Sequence, residues 1–160
     1  MSGLDRASVA LLVVALTTCG SPHSPPVGDV VPFEEVYSLP SFSGLTSPTA
    51  ALIVDSASWD AAWASIFSNY GPSQRPPLPA INFDSTVVLY AGTGEVPTQL
   101  YSFKITEVRL SDAGTLNVRV ESVWPTCGSL PVITSPVHVV SVRVQSTTAR
   151  FTWVKSGKCD

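Results

Sequence analysis

The chain has 160 residues with 12 acidic and 9 basic side chains, a net charge of −3, and 44% of its residues are hydrophobic. This length and apolar content suffice for one domain with a core of its own. The small negative charge, without any cluster of lysine or arginine, argues against a nucleic-acid-binding protein.

The N-terminal segment has the layout of an export signal. A polar start containing Arg6 precedes an apolar run over residues 7–18, and Cys19 follows at once. The run is shorter than the roughly 20 residues that a bilayer requires, but it fits a secretory signal. Residues 16–19 (Leu-Thr-Thr-Cys) resemble the lipobox of bacterial lipoproteins, in which the cysteine is acylated. The segment therefore predicts a signal peptide over 1–18 and lipidation at Cys19, with plain cleavage near Thr18 as the alternative.

Residues 19–32 are rich in proline, glycine and serine, and they predict a flexible tether after the lipidated cysteine. A single domain is expected over residues 33–160. Its first elements are predicted strands at 33–39 and 51–54, followed by a helix over 57–69 with Ser56 as its cap.

One face of that helix is apolar. Four large side chains recur at helical spacing: Trp59, Trp63, Ile66 and Phe67. We interpret this stripe as the face that packs on a sheet. A carbohydrate-binding platform made of Trp59 and Trp63 is the alternative.

The remainder of the domain shows the alternation of apolar and polar residues that is typical of strands. Strands are predicted near 81–83, 86–91, 101–106, 116–121, 137–144 and 150–154, with a hairpin turn at 111–114, a loop over 124–136 and a turn at 145–148. The expected fold class is α+β, a mainly antiparallel β-sheet of about seven strands with one amphipathic helix packed on it.

Cys127 and Cys159 are predicted to form a disulfide if Cys19 is lipidated or removed, because such bonds persist in an oxidising compartment. The bond would close a loop of about 33 residues and stabilise the fold by about 3–4 kcal/mol. Two unpaired buried thiols or a shared metal are the alternatives, although two cysteines without a neighbouring histidine fall short of a zinc site.

Residues suited to catalysis are scarce. His138, the domain's one histidine, shares a strand face with Val140 and Val142, which predicts a structural side chain. The adjacent Glu34 and Glu35 would point to opposite faces of a strand. The sequence has no nucleophile elbow, metal-ligand cluster, phosphate-binding glycine loop or dinucleotide fingerprint. We therefore expect a protein that is not an enzyme and uses no cofactor or metal.

The segment 92–103 connects an apolar strand to the hairpin, and loops carried by rigid sheets are frequent binding sites. We predict a partner-binding loop here, with an ordinary connection between strands as the alternative. Its candidate residues are Gly94, Glu95, Pro97, Thr98, Gln99 and Tyr101, with Trp124 nearby.

Several short motifs together resemble the C-terminal domain of the PrcB-like protease-complex subunit family. They are Trp59-x3-Trp63, Ile81-Asn82-Phe83-Asp84 before a strand ending at Gly92, Glu95-Val96-Pro97-Thr98 followed by Tyr101, and residues 136–140. The family's usual Pro-Thr-Gly-Gly-Tyr turn has Gln99-Leu100 here in place of the two glycines. The resemblance implies a bacterial envelope lipoprotein that accompanies a surface protease complex and is not itself an enzyme.

The expected function is thus that of an accessory, protein-binding subunit, anchored to the membrane through Cys19 and facing the periplasm or the exterior. The expected partner is another envelope protein, with a protease as a named candidate, and no nucleic acid. The Pro-Thr-x-x-Tyr pattern is also similar to a loop of immunoglobulin-like inhibitors of cysteine proteases. A protease inhibitor acting through residues 95–101 is therefore one alternative, and a small-ligand or glycan-binding module is another.

Overall fold

Alternating apolar and polar residues build most of the chain into strands. The computed structural model describes residues 28–128 and 131–159; the predicted signal peptide, Cys19 and most of the predicted tether lie outside the described residues. The elements in chain order are β1 Asp29–Val30, β2 Phe33–Leu39, β3 Thr49–Ile53, α1 Ser56–Ile66, β4 Val87–Gly92, β5 Val96–Thr98, β6 Ser102–Leu110, β7 Leu116–Pro125, β8 Pro131–Thr134, β9 Val137–Val142 and β10 Ala149–Lys158.

Two four-stranded sheets form the body of the domain. Sheet A has the strand order β1-β6-β7-β10, and sheet B has the order β2-β9-β4-β3. The strands β5 and β8 form a separate two-stranded ribbon. All pairs are antiparallel except β7 and β10, which run parallel over ten residues. The expected fold class, α+β and mainly antiparallel β, is confirmed.

Sheets A and B pack face to face as a sandwich. The inward-facing side chains of β6 and β7 include Ile105, Val108, Val118 and Val120, all at most 2% exposed. From sheet B, β4 and β9 contribute Leu89, Val140 and Val142 to the same core. This accounts for the continuous apolar run of β4, since both faces of a central strand are covered.

The second face of sheet B is covered by α1. Trp59 and Trp63 are 1% and 3% exposed, and their indole Nε1 groups donate to the carbonyl oxygens of Pro79 and Pro76 at 3.0 and 3.1 Å. Tyr37 of β2 meets the Trp63 ring edge-on at a centroid distance of 5.2 Å. The predicted apolar stripe is confirmed as core. A carbohydrate platform on Trp59 and Trp63 is excluded because neither ring is accessible.

The helix begins one residue earlier than expected. Asp55, not Ser56, is its N-cap, and its carboxylate accepts from the backbone amide and the hydroxyl of Ser58, each at 2.8 Å. These hydrogen bonds lower the pKa of Asp55. The helix ends at Ile66 rather than at 69, with Phe67 as its C-cap.

Four further expectations are corrected. Residues 81–83 are not a strand; an Asx-type contact from Asn82 to the amide of Asp84 turns the chain there. The predicted loop 124–136 contains the end of β7 and all of β8. The strands on either side of the turn at 145–148 do not lie in one sheet, because β9 belongs to sheet B and β10 pairs with β7 of sheet A. The last residues of the predicted tether form β1, which pairs with β6.

Cys127 and Cys159 form a disulfide with a Cα–Cα distance of 5.4 Å. It follows directly on the ladder between β7 and β10, where the amide of Thr126 donates to the carbonyl of Lys158 at 2.9 Å. The predicted pairing is thereby confirmed, and it holds the end of β10 against β7. Among the described residues no helix has the length and apolar character that crossing a bilayer would take.

Candidate functional site

The sandwich opens into a cleft at one end, beside β10. Toward that end the inward-facing positions of β7 change from valine to Ser122 and Trp124. The same face of β10 changes from half-buried Phe151 to Trp153 and Lys155, which are exposed. Because the apolar core residues end here, the two sheets leave a cleft of about 460 Å³. It is lined by Pro48, Thr93, Glu95, Val96, Ser122, Trp124, Trp153 and Lys155.

Two tryptophans form the apolar wall of the cleft. The Trp124 indole Nε1 donates to the Ser122 hydroxyl at 3.0 Å, which fixes the ring orientation. Trp153 stacks on Phe103 at a centroid distance of 5.9 Å and an interplanar angle of 27°. Since 42% of the Trp153 surface remains exposed, this ring is supported from the core and still available to a partner.

The cleft also holds one charge of each sign. The Lys155 ammonium lies 3.8 Å from the centroid of the Trp124 ring, a cation–π contact. The exposed Glu95, from the loop after β4, also lines the cleft. Within residues 28–128 and 131–159, neither Glu95 nor Lys155 takes part in an ion pair. Both charged groups can therefore receive a ligand without first giving up an ionic partner.

The predicted partner-binding loop contains β5 and alternates in exposure. Glu95, Pro97, Gln99 and Tyr101 are exposed, whereas Thr98 and Leu100 are buried. The Thr98 carbonyl accepts from the Thr134 hydroxyl of β8 at 2.7 Å, which ties the ribbon together. Thr98, a candidate binding residue, is therefore not available to a partner, because β5 pairs with β8 and this side chain is buried.

Gly94 sets the entry to this loop. Its φ of +67° lies in the left-handed region, and a Cβ at this position would collide with the backbone of Ser47. The segment before β3 thus packs directly against the loop after β4. This close approach holds Glu95 and Pro48 on the same wall of the cleft.

Of the predicted site residues, the structure brings Glu95 and Trp124 together in the cleft. Tyr101 lies instead at a smaller cavity of about 120 Å³, which Phe103 and Lys104 also line. Gly94, Pro97, Thr98 and Gln99 do not line the large cleft. Sequence reasoning missed Trp153 and Lys155. Trp153 and Lys155 lie at every second position after Phe151, and this spacing indicates that all three side chains share one face of the strand.

His138 has the structural role that was predicted. It is 2% exposed between the sheets, and its Nδ1 accepts from the Ile105 amide at 3.1 Å. Its Nε2 lies 2.9 Å from a carboxylate oxygen of Glu35. Burial lowers the pKa of His138, and the hydrogen bond from His138 lowers the pKa of Glu35. With Nδ1 accepting, the neutral ring donates from Nε2 and bridges the two sheets.

In the part of the chain that the structure describes, no three His, Cys, Asp or Glu side chains are grouped so that they could hold a metal ion. Glu34 and Glu35 have different partners, as their adjacent positions predict: Glu34 contacts the exposed Arg143 and Glu35 contacts His138. The residue types at the cleft, two tryptophans, hydroxyls and two charges, suit non-covalent binding.

No family model matches this chain, and neither the curated proteins nor the solved structures contain a significant match to it.

Proposed function

We propose that this chain is a non-enzymatic binding subunit of the bacterial cell envelope, anchored at Cys19, and that its partner protein docks at the cleft lined by Trp124 and Trp153. The observation that carries this proposal is the exposed Trp153, supported by Phe103 and sharing the cleft with Trp124, Glu95 and Lys155. Neither charged group has an ion-pair partner among the described residues. Tryptophans in such settings are the residues on which protein interfaces most often depend.

Two further observations support the location. The Cys127–Cys159 disulfide is typical of proteins that fold in an oxidising compartment. The first 19 residues of the chain have the pattern of a lipoprotein export signal. The resemblance to PrcB-like subunits makes a surface protease complex the first class of partner to test.

Site-specific photo-crosslinking in living cells tests the docking site. A photoreactive aromatic amino acid replaces Trp153 or, as a control, the exposed Ile133 of β8. We expect an adduct with one envelope protein from position 153 and none from position 133. The captured protein is then purified and its dissociation constant for this chain is measured.

Trp124→Ala and Trp153→Ala should each weaken that purified complex by about tenfold or more, with unchanged circular dichroism. The exposed Phe42→Ala serves as the matched aromatic control, since Phe42 lies outside the cleft. A complex that tolerates both tryptophan substitutions would place the partner elsewhere and refute the proposed site.

A protease inhibitor is the second candidate function, favoured by one observation. Along residues 95–101 the odd-numbered side chains are exposed and the segment is braced by β8, so it presents an extended ribbon. The purified protein would then slow a papain-like or subtilisin-like protease stoichiometrically, and Tyr101→Ala would abolish the effect. Full protease activity at micromolar concentrations of this chain would exclude inhibition.

A further inference from the structure

Strand β10 is an edge strand with one side open. It pairs with β7 over all ten of its residues, and within residues 28–128 and 131–159 no strand pairs with its other side. The ladder with β7 has no bulge, and β10 contains no proline. Natural edges are protected from further strands by such interruptions or by charged side chains, and β10 carries only the charges. Its basic residues repel a strand of like charge but not an acidic one.

The hydrogen-bonding direction of β10 follows from its two ends. The carbonyls of Thr148 and Lys158 accept from the amides of Leu116 and Thr126, so even-numbered residues point their backbone groups toward β7. In a parallel ladder the amide and carbonyl of one residue point to the same side. The backbone groups of residues 149, 151, 153, 155 and 157 therefore face the open side.

The same odd-numbered residues direct their side chains into the sandwich and the cleft. The backbone groups of Trp153 and Lys155 are therefore on the open edge of the sheet, while their side chains line the cleft. A strand added to this edge would lie over the cleft, with every second side chain directed into it. Hydrogen bonds between the backbones of β10 and the added strand would supply affinity. The shape of the cleft would determine which side chains of the added strand fit.

The charges of β10 indicate the chemistry of the added strand. Residues 149–158 include Arg150, Lys155 and Lys158 and no acidic residue. Pairing with β10 of a second copy would bring these bases together, which disfavours self-association. An acidic segment would gain from the same charges.

We propose that β10 receives an extended acidic segment of a partner protein as an additional strand of sheet A, with one aromatic or aliphatic side chain seated in the cleft that Trp124 and Trp153 line. This proposal rests on the proposed function and names the way the partner docks.

A defined peptide tests the proposal. The probe is a fluorescein-labelled peptide of about nine residues, alternating glutamate with valine and carrying one central phenylalanine. Fluorescence anisotropy should show saturable binding to the full chain. Replacing all glutamates by lysine should weaken binding by about tenfold or more, because β10 is basic.

Backbone methylation separates strand pairing from charge attraction. Two versions of the probe carry N-methyl groups on alternate residues, so that each blocks one edge of the peptide. One version should lose about tenfold or more in affinity, and the other should bind as the parent does. Equal binding of both versions would overturn strand addition, and so would absence of binding by the parent peptide.

Charge-reversed variants locate the site. Arg150→Glu should weaken binding of the acidic probe about tenfold and strengthen that of the lysine version. Arg150 is exposed on the outer face of sheet A, where the glutamates of the probe lie when its phenylalanine enters the cleft. Arg75→Glu is the matched control, since Arg75 is an exposed base in the loop after α1, on the far side of sheet B. Equal effects of the two substitutions would contradict the proposal.

The two levels of inference fail separately. If the crosslinked partner depends on Trp153 but the methylated probes bind alike, the proposed function stands and strand addition is refuted. If the parent probe binds and discriminates as expected but the partner ignores Trp153, the edge accepts strands and the proposed function is refuted.

Discussion

The amide of Ile105 in sheet A donates to Nδ1 of His138 in sheet B, and this hydrogen bond of 3.1 Å joins the two sheets of the sandwich. Nδ1 must keep its lone pair to accept it. Protonation would place an N–H against an N–H and would charge a ring that is 2% exposed. The geometry and the burial thus both favour the neutral imidazole.

Stability should consequently fall in mild acid. Burial lowers the pKa of His138 from its ordinary value of 6.5. Just below pH 6.5, His138 is therefore protonated in the unfolded chain and still neutral in the folded chain. The free energy of unfolding therefore decreases as the pH drops below 6.5, with a limiting slope of about 1.4 kcal/mol per pH unit. The lowered pKa of Glu35 adds a loss in the same direction as the pH falls below its ordinary 4.5.

Urea unfolding of His138→Asn between about pH 7.5 and about pH 5.5 measures this slope. The variant keeps an acceptor for the Ile105 amide but does not titrate, so its stability should change much less with pH. Glu34→Gln, at an exposed ion pair with Arg143, should retain the wild-type slope. A wild-type slope in His138→Asn would contradict the assignment.

Replacing a tryptophan of α1 should be far more costly than replacing one of the cleft. Trp63→Ala removes a ring that is 3% exposed and contacts Tyr37 and Phe67, so we expect a loss of about 3–5 kcal/mol in the free energy of unfolding. Trp153→Ala, at 42% exposure, should lose clearly less. Chemical denaturation of both variants measures the two losses in the free energy of unfolding. Equal losses would contradict this prediction.

Opening the disulfide should destabilise the domain by about 3–4 kcal/mol, since it closes a loop between Cys127 and Cys159. Denaturation of Cys127→Ser/Cys159→Ser measures the loss. Hydrogen exchange should then accelerate most at the end of β10, beyond Lys155, where the bond holds the strand against β7. Uniform exchange along β10 would show that the ladder alone holds this end.

Gly94→Ala should cost more than Gly114→Ala. Both glycines have a positive φ, and an alanine in this conformation destabilises the fold by about 1–2 kcal/mol. At Gly114 a new Cβ meets nothing within 4 Å, whereas at Gly94 it collides with the Ser47 backbone. The difference between the two melting temperatures measures this collision. Equal melting temperatures would mean that the segment around Ser47 yields freely.

Local patterns predicted those parts of the fold that depend on neighbours in sequence. The bounds of β2 were predicted residue for residue, and the hairpin of β6 and β7 follows from alternation around the turn that Ser111 and Gly114 form. The placement of β10 was not predicted. Its residues alternate equally well for either sheet, and only the long-range pairing with β7 decides between them.

The candidate site was predicted in part for the same reason. Glu95 was predicted because it lies in a connection with two glycines, and Trp124 was named as a residue near that connection, although it was expected in a loop and lies in β7. Trp153 and Lys155 reach the cleft only through the parallel register that sets Lys155 opposite Ser122. No pattern within β10 contains that register. Short strands such as β5 and β8 could not be predicted either, because they depend on contacts between distant residues. The hydrogen bond from the Thr134 hydroxyl to the Thr98 carbonyl joins positions 36 residues apart.

The position of β9 between β2 and β4 has a kinetic consequence. Phe33 and Val87 both pair with Val142, so the pair of β3 and β4 cannot join β2 until residues 137–142 have been synthesised. A growing chain therefore carries two apolar strands that cannot yet close on each other, and folding must wait for a contact between distant segments. Sheet B therefore closes late, and until then its unpaired strand edges are open to other chains, which favours aggregation during folding.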